Sequence, residues 1–300
     1  MPANRKPATR NRRSPHAIAD AQIAELRAMR DDPAGQQELA LRLMDQSKHL
    51  QVVQAALGIL KTREDPVLRP ALHAKYDWCN SSRDPGGFIR AGIIETLRPI
   101  IRREDLPVLY RGIATYEMQG MYELCAGVRA AALLAFLDLD TGLAAMFGTR
   151  LLADPRNSFS EEPALTAAKV LALTGQVPAL FAHASFPQGS GAVMGEVLRS
   201  LVGLPEDLVP FLIDAHIDSE DEQVLLGLFD LLLTHPARET WRPLVIDFLR
   251  ETKLDDLFGI VVMQIVANRD DVLIGELREM AGELLPRAKQ QAVDHALELT

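Results

Sequence analysis

Apolar residues recur along this chain at helical spacing, in short amphipathic runs. The clearest is VRAAALLAFLDLD, from Val128 to Asp140, and runs of the same kind precede and follow it. Aligned on their last strong apolar position, they end at Leu60, Leu97, Leu137, Leu173, Leu201, Leu233, Val266 and Leu297. The intervals are 37, 40, 36, 28, 32, 33 and 31 residues, a mean of about 34. Four residues before each anchor stand Ala56, Ile93, Leu133, Lys169, Val197, Phe229, Val262 and Val293, and only Lys169 is polar. Residues four apart share one helix face. Each run therefore predicts a helix with a buried stripe, and the spacing predicts a repeat.

A second helix is expected after each run, across a short polar turn. PVLRPALHAKYD follows Asp65, LPVLYRGIATYEM follows Asp105 and LVPFLIDAHID follows Asp207. Literal identity supports duplication. Arg63-Glu64-Asp65-Pro66-Val67-Leu68 returns forty residues later as Arg103-Glu104-Asp105-Leu106-Pro107-Val108-Leu109, with one insertion. The acids of these turns, with Glu206-Asp207 and Asp270-Asp271, stand just before a helix. There they accept hydrogen bonds from free backbone N–H groups and complement the helix dipole. Proline near the first helical position suits the same place. One hairpin of this size cannot bury both apolar faces alone, so neighbours are expected to stack along a continuous core.

The start of the run at Val128 to Ala132, Val-Arg-Ala-Ala-Ala, looks like the inner helix of a HEAT repeat, and the acid and proline turns resemble that family's connections. The resemblance covers roughly Ile18 to Thr300, although the other units lack the Val-Arg start. It implies an all-α fold, an α-α superhelix (solenoid) of about seven to eight HEAT-like helix pairs over residues 16–300, behind a disordered basic tail over residues 1–15. It implies no single activity, because the armadillo-type fold hosts many. The Trp-x-x-Leu-Gly and Thr-Pro-Leu-His signatures of two other helical repeats are missing. Loops that break the regularity join an outer helix to the next inner one: Cys79–Gly87, Asp154–Pro163, Ser185–Ala192 and Asp218–Glu222. Insertions in such arrays map to one face, often a binding face.

Composition narrows the picture. Aromatics make up only 5% of residues, so the core is expected to consist of many similar Leu and Ala contacts. Two cysteines, Cys79 and Cys125, supply neither a disulfide framework nor a four-thiolate zinc site, which suits a reducing, cytoplasmic setting. The first fifteen residues hold no apolar run and so do not read as a secretory signal. They are Arg-rich and acid-free, but lack the amphipathic pattern of a transit peptide. The longest apolar stretch, near Gly259 to Ala267, falls far short of the roughly 20 residues of a membrane span, so no membrane partner is expected.

Charge is uneven. Residues 1–111 hold 19 Lys and Arg against 13 Asp and Glu, whereas residues 112–300 hold 13 against 28. The acidic part repels phosphate backbones. The N-terminal tail, with Arg5, Lys6, Arg10, Arg12 and Arg13, reads as a solvated segment or a tether to an acidic surface. All four tyrosines lie between Tyr76 and Tyr122, together with Trp78 and several arginines. Tyr, Trp and Arg are enriched at binding hot spots. Tyr76, Trp78, Arg90, Arg98, Arg102 and Tyr110 are therefore the candidate contacts, with Arg98 and Arg102 expected on one helix face. The alternative is that Tyr76, Trp78 and Tyr110 fill gaps between helices with their polar tips at the rim.

Catalytic patterns are sparse. His73, His183 and His216 occupy similar places in successive outer helices, and Asp214 and Asp218 flank His216. A residue midway between two that share a helix face points away from both, which disfavours a metal site there. HEAT-repeat metal hydroxylases use repeated His-Glu pairs, and no histidine here precedes Glu. HEAT-like DNA glycosylases use a basic channel with aromatics and an acid, roles in which Trp78, Tyr110, Arg90 and Asp77 are conceivable without a motif to carry them. No signature of the related bilin lyases, phosphate loop, Gly-x-Ser-x-Gly elbow or His-Glu-x-x-His segment occurs. The expectation is a non-enzymatic protein-interaction scaffold that uses the concave surface or one loop edge of the solenoid, without cofactor or metal. A nucleic-acid-binding or DNA-repair protein acting through the basic N-terminal third is the second reading, disfavoured by net charge.

Overall fold

The computed structural model describes residues 14–156, 161–186, 189–283 and 285–299. Among them the chain is all-α, with seventeen α-helices and one two-stranded hairpin. The basic tail expected over residues 1–15 lies outside the described residues up to position 13. Helical order begins at once after it, because the Ser14 hydroxyl accepts from the Ala17 N–H and Pro15 takes the first helical position. The expectation of a single array over 16–300 meets a chain that divides into two compact units, residues 1–139 and 140–300.

The first unit contains α1 (Pro15–Ala28), α2 (Pro33–Gln46), α3 (Leu50–Lys61), α4 (Arg69–Trp78), α5 (Phe88–Leu97), α6 (Leu106–Ile113) and α7 (Ala126–Leu139). α3 packs on α1, α5 on α3 and α7 on α5, while each even-numbered helix leans on a sequence neighbour. The second unit contains α8 (Thr141–Leu152), α9 (Ala164–Leu173), α10 (Val177–Ala184), α11 (Gly191–Arg199), α12 (Val209–His216), α13 (Glu222–Thr234), α14 (Arg242–Glu251), α15 (Asp255–Ala267), α16 (Asp271–Ala281) and α17 (Arg287–Leu297). Here α9, α11, α13, α15 and α17 follow one another in the same way.

The apolar stripes account for this packing. Ala56, Ile93, Leu133, Val197, Phe229, Val262 and Val293 are all buried, and all lie on odd-numbered helices. Lys169 is the exception, and its partner Leu173 is 74% exposed. The buried stripe of α9 runs instead through Ala167, Val170 and Leu171, so the sequence alignment slipped by two residues there. With Leu171 as anchor, the intervals of 36 and 28 become 34 and 30, nearer the mean.

Of the acids that the sequence sets before helices, Asp65 and Asp270 accept cap bonds and Asp105 accepts from the Arg102 N–H, whereas Glu206 and Asp207 lie inside a 3-10 turn without a side-chain cap bond. Asp32, Asp140, Asp221 and Asp270 cap α2, α8, α13 and α16 through backbone N–H groups, and Asp65 caps the 3-10 turn before α4. One predicted helix is shorter than its sequence suggested. LPVLYRGIATYEM stops being helical at Ile113, and residues 118–123 form an antiparallel hairpin in which Met118 faces Glu123 and Gln119 faces Tyr122. Gly120, at φ +64°, occupies the first turn position, where a two-residue hairpin loop of type II′ takes glycine.

Helix pairs that follow one another in the chain are joined by polar bonds as well as apolar contact. His216 Nε2 lies 2.7 Å from the Ala184 carbonyl, His235 Nε2 lies 2.8 Å from that of Leu204, and Lys75 Nζ donates to that of Asp45 at 3.1 Å. Arg69 and His73 both reach the buried carboxylate of Asp105, at 2.9 and 2.6 Å. Arg242 reaches Asp270 at 3.0 Å. The partners in these bonds are 28 to 36 residues apart, one repeat in the sequence.

The closest helix pair is α11 and α13. A Cβ placed on Gly195 would stand 2.2 Å from the Gln223 carbonyl oxygen, and one on Gly227 would stand 2.2 Å from that of Gly195. Backbone cannot step aside as a side-chain tip can, so only glycine permits this crossing. Gly195→Ala or Gly227→Ala should destabilise the protein by about 1–3 kcal/mol or more. Gly275→Ala, in the interior of α16 where an added Cβ meets nothing within 4 Å, should be neutral or stabilising by about 0.5–1 kcal/mol. Urea unfolding followed by circular dichroism compares the three.

Candidate functional site

The sequence-derived residues are split between two edges of the first unit. Trp78 closes α4 and Arg90 lies in the first turn of α5, both beside the 79–87 loop. Arg98 and Arg102 lie beyond the other end of α5, a helix of ten residues or roughly 15 Å. They do not share a helix face. The α-helix ends at Leu97, Arg98 opens a 3-10 turn with Pro99, and Arg102 is extended at φ −140°. Proline at position 99 cannot donate into a continuing ladder, which accounts for the break.

Most of the cluster is occupied with internal structure. Tyr76 is buried, with the Arg111 guanidinium 5.0 Å from its ring centre, and burial pushes its phenol above the ordinary tyrosine range. Arg90 is buried too. It pairs with Asp84 at 3.1 Å and Glu117 at 2.7 Å and donates to the Asp84 carbonyl. Arg98 pairs with Asp138 at 2.7 Å, and Arg111 with Asp77 at 2.7 Å. Tyr110 is partly exposed and rests against Phe136, ring centres 5.5 Å apart. Trp78 is 45% exposed, with Lys75 and Arg83 at 4.2 and 4.9 Å from its ring centre.

Arg129, which the sequence offered only as part of a helix signature, is fully buried. It pairs with Glu123 at 2.7 Å, donates to the Thr115 carbonyl and lies 4.0 Å from the Tyr116 ring centre. Burial pushes the Glu123 carboxyl up, but Arg129 and the N–H groups of Cys125 and Glu117 outweigh it and hold it below its ordinary value. Burial drives both thiols the other way, Cys79 to about 11 and Cys125 to about 12, so neither is a thiolate nucleophile near neutral pH. The hairpin this cluster anchors exposes Met118, Met121 and Tyr122.

Among the described residues, the second unit carries several recesses. A cavity of about 540 Å³ lies between the outer helices α8 and α10 and opens beside the loops that precede α9 and α11. In the first unit the corresponding outer helices, α4 and α6, are bridged by Tyr76, Asp77 and Arg111. Here Ala153, Ala179 and Ala182 stand on the walls, and small side chains leave the gap unfilled. Leu152, Val193 and the 62% exposed Phe186 add apolar surface, while Thr149, Asp154, His183 and Ser190 add polar groups. A neighbouring cavity of about 370 Å³ shares Gly189 and reaches Asp218, Ser219 and Asp221. Only the expectation that insertions line one edge pointed here, since alanines carry no signal of a cavity. Parts of those loops, residues 157–160 and 187–188, lie outside the described residues.

The three histidines serve different ends. His73 faces Asp105, His216 is bound to the Ala184 carbonyl, and His183 lines the larger cavity. Burial alone lowers the His183 pKa, so its imidazole is neutral at physiological pH. No three His, Cys, Asp or Glu side chains among the described residues group as a metal ion requires. In comparisons with protein-family models, curated proteins and solved structures, nothing matches this chain.

Arg90→Ala leaves the buried Asp84 and the half-buried Glu117 without their cation and should cost about 3–5 kcal/mol. Arg98→Ala, at a half-exposed pair, should cost about 1 kcal/mol or less, and urea midpoints separate the two. For His183 the unfolded chain takes up the proton more readily than the native one. Its stabilising contribution is full above the ordinary pKa of 6.5 and declines as pH falls below it. Urea midpoints should fall between about pH 7.5 and 5.5, and fall less in His183→Gln.

Proposed function

We propose that both units are HEAT-type helical repeats and that the protein is a non-enzymatic interaction scaffold, holding a segment of a partner protein along the loop edge of the second unit. The resemblance at Val128 to Ala132 and the bonds spaced by one repeat support the architecture. The observation that carries the function is the α8–α10 cavity. At about 540 Å³ it falls within the size of sites that bind by shape, and its walls are mainly Ala, Leu, Val and Phe. A rigid framework with an apolar recess at a loop edge is equipped to seat a side chain.

The nucleic-acid reading depended on the basic N-terminal third. Four of its arginines, Arg69, Arg90, Arg98 and Arg111, pair with carboxylates of the same unit. A neutralised arginine offers little to a phosphate backbone. The exposed Met118, Met121 and Tyr122 of the hairpin likewise suit a protein surface better than a charged one.

Panning a phage-displayed random peptide library on the full chain tests this reading. Peptides should be enriched whose affinity drops about tenfold or more in Ala182→Phe. Ala182 is exposed at the cavity, so the added ring fills the recess without entering the core. Duplex DNA titrated at about 50 mM salt should show no saturable binding. Tight DNA binding that weakens steeply with salt, with no peptide sensitive to Ala182→Phe, would replace this reading by the nucleic-acid one.

A further inference from the structure

The loops around the two cavities of the second unit are acidic as well as apolar. Their described residues include Asp154, Glu161, Glu162, Asp218, Glu220 and Asp221, against Arg156 as the one Lys or Arg among them. Asp154 borders the larger cavity; Asp218 and Asp221 border the smaller. Some of these acids serve the fold. Asp221 caps α13, and Glu162 accepts from the Thr166 N–H. Asp218 and Glu220 are exposed, and Glu222 follows them on the first turn of α13. His183 adds no positive charge, because burial keeps it neutral. The unit as a whole holds 12 Lys and Arg against 25 Asp and Glu. Negative charge beside a low-dielectric recess concentrates cationic partners there.

Resting on the scaffold reading above, we infer that the occupant of this edge is a basic peptide segment of a partner protein, seated by one bulky apolar side chain in the α8–α10 cavity with flanking Lys or Arg over the acidic loops. The recess sets the anchor: alanine walls and Phe186 select an aromatic or large aliphatic group. The loops set the flanks. The two cavities share Gly189, so a segment anchored in the first runs directly past Asp218 in the second. The chain's own N-terminus does not meet this description. It is basic, but between Pro2 and Ala17 it contains no Leu, Ile, Val, Met, Phe, Tyr or Trp to act as anchor.

The test uses the full chain, the peptides enriched by panning, and fluorescence polarisation. Enriched peptides should share one bulky apolar residue with Lys or Arg close by. Replacing that apolar residue with Ala, or introducing Ala182→Phe in the protein, should each weaken binding about tenfold or more. The double variant Asp218→Lys with Glu220→Lys, which leaves the Asp221 cap untouched, should weaken the same peptides about tenfold. It should also flatten their salt dependence. Acidic or uncharged peptides that are blocked by Ala182→Phe but indifferent to the double variant would overturn the inference and leave the scaffold reading standing. Enrichment of no peptide sensitive to Ala182→Phe would overturn both. Blockage by a second copy of the chain, seen as concentration-dependent dimerisation lost in Ala182→Phe, would identify the recess as a self-association surface and also overturn the inference.

Discussion

The structure depends on how the ends of α2, α6, α10 and α14 are satisfied by side chains from further along the chain. An α-helix leaves its last carbonyls without partners inside the helix. Here a cationic or imidazole side chain from further along the chain supplies the donor. Lys75 serves the end of α2, His216 the end of α10, Lys289 the residue closing α14, and Arg129 the Thr115 carbonyl beyond α6. Positive charge at a helix C-terminus is also favoured by the helix dipole. Removing such a donor leaves a carbonyl of the preceding helix pair without its partner, at the greatest cost for the buried Ala184 carbonyl that His216 serves. Apolar stacking supplies the bulk of the burial; these bonds set which repeat meets which.

How much of this the sequence reveals depends on the kind of interaction. The apolar stripe is periodic and local, so seven of the eight anchor partners are buried as the spacing leads one to expect. The acidic caps are local too, and Asp65 and Asp270 are where the turns placed them, while Asp32, Asp140 and Asp221 are caps outside those turns. The slip at Lys169 arose because α9 is Ala-rich, and alanine marks a face only weakly. The end of α6 misled for another reason. The signal that turns the chain is Gly120, seven residues past the last helical position. The clustered Tyr, Trp and Arg residues were legible as a group, but whether an arginine faces a partner or a carboxylate of its own unit depends on residues tens of positions away. Arg90 and Glu117 illustrate this. A cavity is harder still to read, since it consists of side chains that are small on two helices at once.

The two units use charge differently. In the first, Arg90 and Arg98 are matched internally, and the exposed large apolar side chains include Trp78, Met118, Met121 and Tyr122. In the second, cations are scarce. Arg199, Arg242 and Arg250 pair with Asp230, Asp270 and Glu276. The acids left over collect where helices begin, a position that also suits their role as caps. Surplus negative charge on these loops is thus partly a by-product of how the helices start, and the same groups become available to a ligand.

The glycine crossing of α11 and α13 has a geometric consequence for the second unit. Two rods joined by short links to outer companions act like the hub of a fan: pinching them together spreads the companions. α10 and α12, the companions here, are tied at their ends by His216 and the Ala184 carbonyl but lie close over little of their length, as do α8 and α10. The wedge of open volume on that side is the counterpart of the tight seam on the other. A residue as small as Gly195, next to the Met194 that borders the smaller cavity, thereby holds the two inner helices at the separation from which this opening follows.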